Sequence, residues 1–243
     1  MPPAVATGTA TAPTVADFLA RHRGGGLYSE LISQRIGARL ALGAYRAGLS
    51  PTVVTVAGLA VGVGGSVALA ALAPRAAAGA VPAWLLGLAV TLAWQLAYAL
   101  DCADGQLARV TGRTSAAGAR LDILCDVAVQ ISVVTALGVT AVAHDPGTPP
   151  WLVGLFAGTW MVNLVTSVLA GGPAAASLLT SASTPVRLAK LVRDYGAVIL
   201  VCGLVVTVAP AGTRWLMLAL CVLNGGFLAA SIVQATHQRE ARS

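Results

Sequence analysis

Long apolar segments alternate with short polar ones along most of the chain. Each apolar segment is about 20 residues long, which is the length that an α-helix needs to cross the hydrocarbon core of a bilayer. Several of them begin at or near a proline, where a helix loses no hydrogen bond. The pattern predicts six transmembrane helices, which cover about residues 52–73, 82–100, 115–143, 149–171, 185–209 and 212–235.

The segment before the first apolar run has a different pattern. In residues 27–49, leucine and isoleucine recur at helical spacing among arginines, which is typical of an amphipathic helix lying in the membrane interface. The sequence therefore predicts an all-α, polytopic integral membrane protein whose six transmembrane helices follow an interfacial helix. We divide the chain into a flexible tail (1–26), the interfacial helix (27–49), a six-helix membrane domain (50–236) and a polar tail (237–243).

Composition and charge agree with a membrane location. Hydrophobic residues make up 57% of the chain and charged residues only 10%, against about 25% charged residues in a typical soluble domain. The net charge of +6 does not indicate nucleic-acid binding, because the basic residues cluster at the ends of apolar segments. Of the 15 Lys and Arg residues, all but Arg75 and Arg214 fall on one predicted side. The positive-inside rule makes that side cytoplasmic and favours the plasma membrane.

Four acidic residues form a cluster next to the predicted membrane segments. The chain has nine Asp and Glu residues, and Asp101, Asp104, Asp122 and Asp126 lie within one stretch of 26. Each pair has i,i+3 or i,i+4 spacing, so its two carboxylates share one face of a helix. The polar turn 111–114 lies midway between the pairs, and folding there brings all four together. Carboxylates placed together near a membrane need cations.

The ligand type and the neighbouring residues indicate what the cluster binds. Oxygen ligands without His or Cys favour Mg²⁺ or Mn²⁺ over Zn²⁺, and two such ions would neutralise four carboxylates and could bridge phosphate oxygens. Gly105, Ala108 and Gly118 leave the hairpin wall open enough for a nucleotide to lie against the backbone, although helix packing explains the glycines almost equally well. Arg109 adds a cation.

Residues 101–126 contain every fixed position of the pattern D-x2-D-G-x2-A-R-x8-G-x3-D-x3-D. This pattern resembles the signature of the CDP-alcohol phosphotransferase (CDP-alcohol phosphatidyltransferase) family. Upstream, the segment S-P-T-V-V-T at 50–55 is similar to the P-N-x-x-T of that family, with Thr52 in place of Asn. The resemblance covers the first three transmembrane segments well, and the rest of the chain only through its six-helix plan.

The resemblance implies a reaction and a role for each matching residue. The four aspartates would bind two metal ions, and Asp126 would also deprotonate the acceptor hydroxyl. The CDP group would lie against Thr55, Gly105, Ala108, Arg109 and Gly118. The alcohol would attack the phosphorus distal to cytidine and CMP would leave. In most bacterial members the donor is CDP-diacylglycerol and the product a phospholipid. The resemblance is also compatible with a homodimer, although nothing in the sequence establishes one.

The acceptor alcohol is less well defined. Residues 25–36 and 192–195 are vaguely similar to members that use inositol 1-phosphate. An anion pocket for a phosphorylated acceptor would consist of Arg113, Arg187, Lys190 and Arg193. The same four residues serve equally as ordinary cytoplasmic anchors. Glycerol 3-phosphate, inositol, serine and another alcohol remain open as acceptors.

Other classes of membrane protein also place carboxylates in their helices. A membrane prenyltransferase uses paired aspartate motifs, but its two motifs lie far apart in the chain. An ion transporter relays ions through carboxylates, often with an internal repeat. After Asp126 the membrane segments contain no second acidic cluster, only Asp194, so the two halves of this chain are not alike. The transporter remains the alternative class, and a member that has lost catalysis is disfavoured because all four aspartates are present.

Overall fold

The computed structural model describes residues 12–22, 26–170 and 194–240. In this part of the chain the regular structure is entirely helical. After a short π-helical turn at Ser29–Ser33, the chain continues directly into α2. The helices in chain order are α1 (Val15–Ala20), α2 (Gln34–Arg46), α3 (Pro51–Ala77), α4 (Ala83–Val110), α5 (Ala116–His144), α6 (Pro150–Ala170), α7 (Tyr195–Val208) and α8 (Thr213–Glu240).

Polar side chains define where three of the long helices begin. The Ser50 hydroxyl accepts a hydrogen bond from Val53 N, and Pro51 occupies the first helical position of α3. Ser115 accepts from Gly118 N in the same way at the start of α5. Asp194 caps α7 by accepting from Gly196 N. Such caps satisfy backbone N–H groups that a helix cannot pair internally, and each stabilises the protein by about 1 kcal/mol.

The turn between α4 and α5 is short because Gly112 ends α4. Its φ of 66° lies in the left-handed region that only glycine adopts without strain. This conformation lets Arg113 N donate to Ala108 O at 2.8 Å, which closes the helix end. The chain then reverses within a few residues, and α5 returns antiparallel to α4.

Small residues allow α3 and α4 to approach closely. A Cβ on Gly58 would lie 3.4 Å from Ala97 O, and one on Gly65 would lie 2.9 Å from Ala93 Cβ. On the same side of α3, Gly62 faces both Ala97 and Val129. Helix α3 therefore packs against both members of the α4–α5 hairpin, and helices α7 and α2 also pack against α4.

The contact between α4 and α7 leaves no room for a larger residue at Gly87. A Cβ at this position would lie 2.5 Å from Thr207 Cα, which is backbone and cannot turn away. We expect Gly87→Ala to destabilise the protein by about 1–3 kcal/mol, the usual cost of overpacking. Thermal unfolding in detergent measures the change. Gly154→Ala is the control, because nothing lies within 4 Å of that Cβ position, and equal unfolding temperatures for the two variants would contradict the packing argument.

The N-terminal elements pack onto the end of α4 that leads to the turn. Phe18 of α1 is fully buried and belongs to a small core with Ala38, Ala41 and Leu107. Buried Gln106 donates its amide to Gln34 Oε1 at 2.7 Å, which joins α2 to α4. Part of the segment that the sequence assigns to a flexible tail is thus the helix α1.

Four helices in the described part of the chain are long and apolar enough to cross a membrane. They are Pro51–Ala77, Ala83–Val110, Ala116–His144 and Pro210–Ala230, the last of which includes the 3₁₀ turn before α8. The apolar helices Pro150–Val162 and Tyr195–Val208 are shorter. These four helices confirm the prediction of an integral membrane protein. The number of six transmembrane helices and the interfacial position of α2 stay predictions. Arg187, Lys190 and Arg193 lie outside the described residues.

Candidate active site

The α4–α5 hairpin brings its acidic residues to one place. Carboxylate oxygens of Asp101 and Asp104 from α4 and Asp122 from α5 all lie within 4.8 Å of one another. Asp126, one turn beyond Asp122, lines one cavity with Asp101 and Asp104. The hairpin therefore brings the acidic residues together, as the helical spacing and the midway turn predict.

A third helix contributes to this carboxylate cluster. Thr55, one turn into α3, donates its hydroxyl to Asp104 Oδ2 at 2.5 Å. Asp104 is only 5% exposed, so this bond supplies a partner that water cannot readily provide. The close packing of α3 against α4 is what places Thr55 at this distance.

The residues present fit a divalent cation. Oδ1 of Asp122 is buried and has no hydrogen-bond partner within the described residues. A buried carboxylate oxygen without a partner is costly, and a cation among the surrounding carboxylates would remove that cost. The donor set consists of carboxylate oxygens, which suit the hard ions Mg²⁺ and Mn²⁺.

An open groove of about 310 Å³ runs from the cluster toward the α4–α5 turn. It is bounded by the start of α3, the last turns of α4 and the first turns of α5. Asp104 and Asp122 form its inner end. The wall includes every residue that the sequence assigns to nucleotide binding, namely Thr55, Gly105, Ala108, Arg109 and Gly118, and also Arg113.

Gly105 leaves space for the Arg109 side chain on the groove wall. A Cβ at Gly105 would lie 2.9 Å from Arg109 Nη1, so the guanidinium lies across the surface that a larger residue would occupy. Arg109 Nε donates to the backbone O of Arg21, which connects the end of α1 to the groove. The positive charge of Arg109 also attracts the carboxylate of Asp122. The groove therefore combines exposed backbone with a fixed cation beside the carboxylates.

A second cavity lies on the opposite side of the carboxylate cluster, deeper along the helices. We call it the inner cavity. Asp101, Asp104 and Asp126 form its polar part, and α7 contributes Tyr195. Tyr98 of α4 lines the same space, with its ring edge-on to that of Tyr195 at a centroid distance of 5.2 Å.

The sequence pattern alone assigns no role to Tyr98, Tyr195 or Asp194. Tyr195 and Asp194 belong to residues 192–195, whose similarity to members that use inositol 1-phosphate is vague. A single acidic residue directly before an apolar run is the one sequence feature that indicates Asp194, because Asp is a preferred helix N-cap. Nothing local to Tyr98 distinguishes it from other aromatic residues of an apolar helix.

Comparison of the whole chain with curated proteins found no match. The family model described as CDP-alcohol phosphatidyltransferase matches residues 48–225, well over half of the chain. The matched region contains helices α3 to α7 and therefore the four aspartates, the groove and the inner cavity. This chain belongs to the CDP-alcohol phosphatidyltransferase family, whose enzymes transfer a substituted phosphate group from a CDP-alcohol to an alcohol.

Proposed function

We propose that this protein is a divalent-metal-dependent membrane enzyme that transfers the phosphatidyl group of CDP-diacylglycerol to an alcohol and releases CMP. The observation that carries the proposal is that Asp101, Asp104 and Asp122 meet within 4.8 Å, with Asp126 beside them, between an open groove and an inner cavity. A donor in the groove and an acceptor in the inner cavity would approach the cluster from opposite sides. That arrangement suits a displacement at phosphorus.

Asp101, Asp104, Asp122 and Asp126 are the residues that would hold two Mg²⁺ or Mn²⁺ ions. Bound divalent ions polarise phosphoryl oxygens and stabilise the attacking and leaving oxygens of such a displacement. The protein's own contribution is to fix the ligands. Thr55 orients Asp104, and the α4–α5 hairpin keeps the carboxylates of α4 beside those of α5.

The groove residues would bind the CDP part of the donor. Gly105, Ala108 and Gly118 allow the nucleotide to lie close to the helix backbone, which side chains would otherwise cover. Arg109 would pair with the diphosphate, to which a guanidinium can donate two hydrogen bonds. Thr55 lies where the groove meets the carboxylates and would contact the phosphate end.

Asp126 would act as the general base. It lines the inner cavity, so an alcohol there can donate its hydroxyl proton to the carboxylate. The alcohol oxygen then forms a bond to the phosphorus that bears the lipid, and the bond from this phosphorus to the bridging oxygen breaks. CMP leaves with that oxygen, and Asp126 keeps the proton until it reaches water.

Inositol 1-phosphate is the first acceptor to test and glycerol 3-phosphate the second, because a phosphorylated alcohol suits the basic residues 187–193. Arg187, Lys190 and Arg193 would bind the acceptor phosphate, whereas Arg113 lies on the groove wall beside the donor. The excess of basic residues on this side favours a cytoplasmic active site in the plasma membrane.

The test is to incubate the purified protein with CDP-diacylglycerol, Mg²⁺ and one acceptor at a time. We expect CMP in the soluble phase, measured by chromatography, and a new phospholipid in the lipid phase, identified by mass spectrometry. The acceptors are inositol 1-phosphate, glycerol 3-phosphate, inositol and serine. An absence of CMP with every acceptor, combined with cation flux through proteoliposomes, would favour the transporter instead.

Removal of divalent metal should stop the reaction. Excess EDTA is expected to reduce CMP release to the background rate, because unneutralised carboxylates would repel the donor diphosphate. Addition of Mg²⁺ or Mn²⁺ beyond the chelator should restore the rate. EDTA saturated with Mg²⁺ beforehand is the control for effects on the detergent, and full turnover in metal-free chelator would refute the metal assignment.

A further inference from the structure

A buried hydrogen-bonded group joins the N-terminal segment to α4 and α7. Asp194 is only 3% exposed and accepts three hydrogen bonds. Ser29 N donates to Oδ2 at 2.8 Å, Gly196 N donates to Oδ1 at 3.1 Å, and the Ser29 hydroxyl also donates to Oδ1. The Ser29 hydroxyl lies 2.8 Å from the hydroxyl of Tyr98. We call these three residues, Asp194, Ser29 and Tyr98, the tyrosine relay.

The direction of the hydrogen bond between Ser29 and Tyr98 follows from counting protons. A serine hydroxyl has one proton, and that of Ser29 is donated to Asp194. Ser29 can therefore only accept from Tyr98. The single phenolic proton of Tyr98 is committed to Ser29, which leaves the Tyr98 oxygen with acceptor capacity alone. A fixed polarity of this kind is unusual for a hydroxyl, which normally rotates to suit its partner.

The relay lies next to the site of reaction. Tyr98 lines the inner cavity together with Asp101 and Asp126. Two glycines make the close packing around the relay possible. A Cβ on Gly26 would lie 2.5 Å from Asp194 Oδ2, and one on Gly196 would lie 2.8 Å from the ring of Tyr98.

A polar arrangement at this position is more than packing requires. Burying a carboxylate costs free energy that apolar residues of similar volume would not, so a buried polar group contributes little to stability by itself. Apolar contacts could join the N-terminal segment, α4 and α7 without a buried carboxylate. What the relay adds is an oriented phenol on the wall of the inner cavity.

We propose that Tyr98 is a specificity-determining residue, which Ser29 and Asp194 hold as a hydrogen-bond acceptor for a hydroxyl of the acceptor alcohol. This inference rests on the proposed function. An oxygen that can only accept favours a hydroxyl donor and disfavours the oxygens of phosphate or carboxylate, which have no proton to donate. The inner cavity therefore takes the hydroxyl-bearing part of the acceptor, and any anionic group of the acceptor lies away from Tyr98.

The substitution Tyr98→Phe tests this inference, because it keeps the ring and removes only the oxygen. The matched control is Tyr28→Phe in the same interface, where the Tyr28 hydroxyl donates to Gln95 Oε1 at 2.9 Å. Burial, with a smaller effect from Asp194, raises the pKa of Tyr28, so this phenol stays protonated as a donor. Both changes remove one hydrogen-bonded phenolic hydroxyl, but of these two tyrosines it is Tyr98 that lines the inner cavity.

The measurement is steady-state CMP release with the acceptor that wild-type protein uses among inositol 1-phosphate, glycerol 3-phosphate, inositol and serine. We expect Tyr98→Phe to raise the KM for that acceptor about tenfold, as the loss of one hydrogen bond of ordinary strength would. Its KM for CDP-diacylglycerol should not change, and Tyr28→Phe should change neither constant. An unchanged acceptor KM in Tyr98→Phe, or equal rises in the two variants, would overturn the inference.

A second pair of variants tests the relay itself. Ser29→Ala frees the Tyr98 proton and should raise the acceptor KM as Tyr98→Phe does, whereas Ser29→Thr keeps the hydroxyl and should restore it. Thermal unfolding in detergent shows whether each variant is folded. If Tyr98→Phe does not fold, the comparison of the two Ser29 variants tests the inference instead. Equal acceptor KM values for the two Ser29 variants would count against the relay. A wild-type protein that releases no CMP with any acceptor would refute the proposed function, and this inference with it.

Discussion

Replacing Asp126 by Asn should lower kcat by about 10²–10⁴-fold, the range that a general base contributes. The amide keeps the shape of the side chain but cannot take the hydroxyl proton of an alcohol in the inner cavity. Nucleotide binding should persist, because Asp126 does not line the groove. Single-turnover CMP release and equilibrium binding of labelled CMP separate the two effects.

The control for this experiment is Asp145→Asn. Asp145 caps the far end of α5 and forms an ion pair with Arg214 at 3.0 Å. It carries the same chemical change on the same helix, away from the carboxylate cluster, and turnover should stay near the wild-type rate. If Asp126→Asn turned over at the wild-type rate, Asp126 would not be the general base.

Replacing Asp122 by Asn should weaken binding of Mn²⁺ by at least about 10–100-fold. The loss of a residue that only hydrogen-bonds to a metal ligand already lowers metal affinity by that factor. Asp122 Oδ1 is the buried oxygen without a hydrogen-bond partner in the described part of the chain. Removal of its charge leaves three carboxylates for the cation. Electron paramagnetic resonance titration with Mn²⁺ measures the affinity without any substrate, so this result does not depend on activity.

For the metal titration, Asp145→Asn again serves as the matched control and should bind Mn²⁺ as the wild type does. Turnover of Asp122→Asn should fall in parallel with its Mn²⁺ affinity. If Asp122→Asn and wild type bind Mn²⁺ equally, the cluster is not the metal site, and the proposed function loses its main support.

The sequence predicts the helices and the carboxylate cluster well because both depend on local periodicity. Residues 101–126 contain two helix faces and the turn between them, so their folding needs no knowledge of distant contacts. The main difference lies in helix length. Helix α4 continues to Val110, which places Asp101 and Asp104 within the helix rather than just after the transmembrane segment.

The inner cavity could not be predicted from periodicity. Its wall depends on contacts between residues far apart in the chain, such as Ser29 with Asp194, which are separated by 165 positions. Tyr98 lines this cavity beside α7, which Gly196 allows to approach the Tyr98 ring closely. In a single sequence nothing shows which apolar helices become neighbours, and the apolar faces of α4 and α7 are compatible with several packings. Thr55 was found through the family resemblance, not through its environment.

The glycine contacts between α3 and α4 have a thermodynamic consequence for the loaded and empty forms of the protein. Because Gly58 and Gly65 hold these backbones together and Gly62 holds α3 against α5, the negative charges cannot relieve their mutual repulsion by moving apart. The folded protein without a cation therefore retains the repulsion among its carboxylates. A bound cation removes this repulsion, and that gain contributes to the affinity for the cation. Occupancy should therefore raise the unfolding temperature, by mass action, more than it would in a frame free to relax.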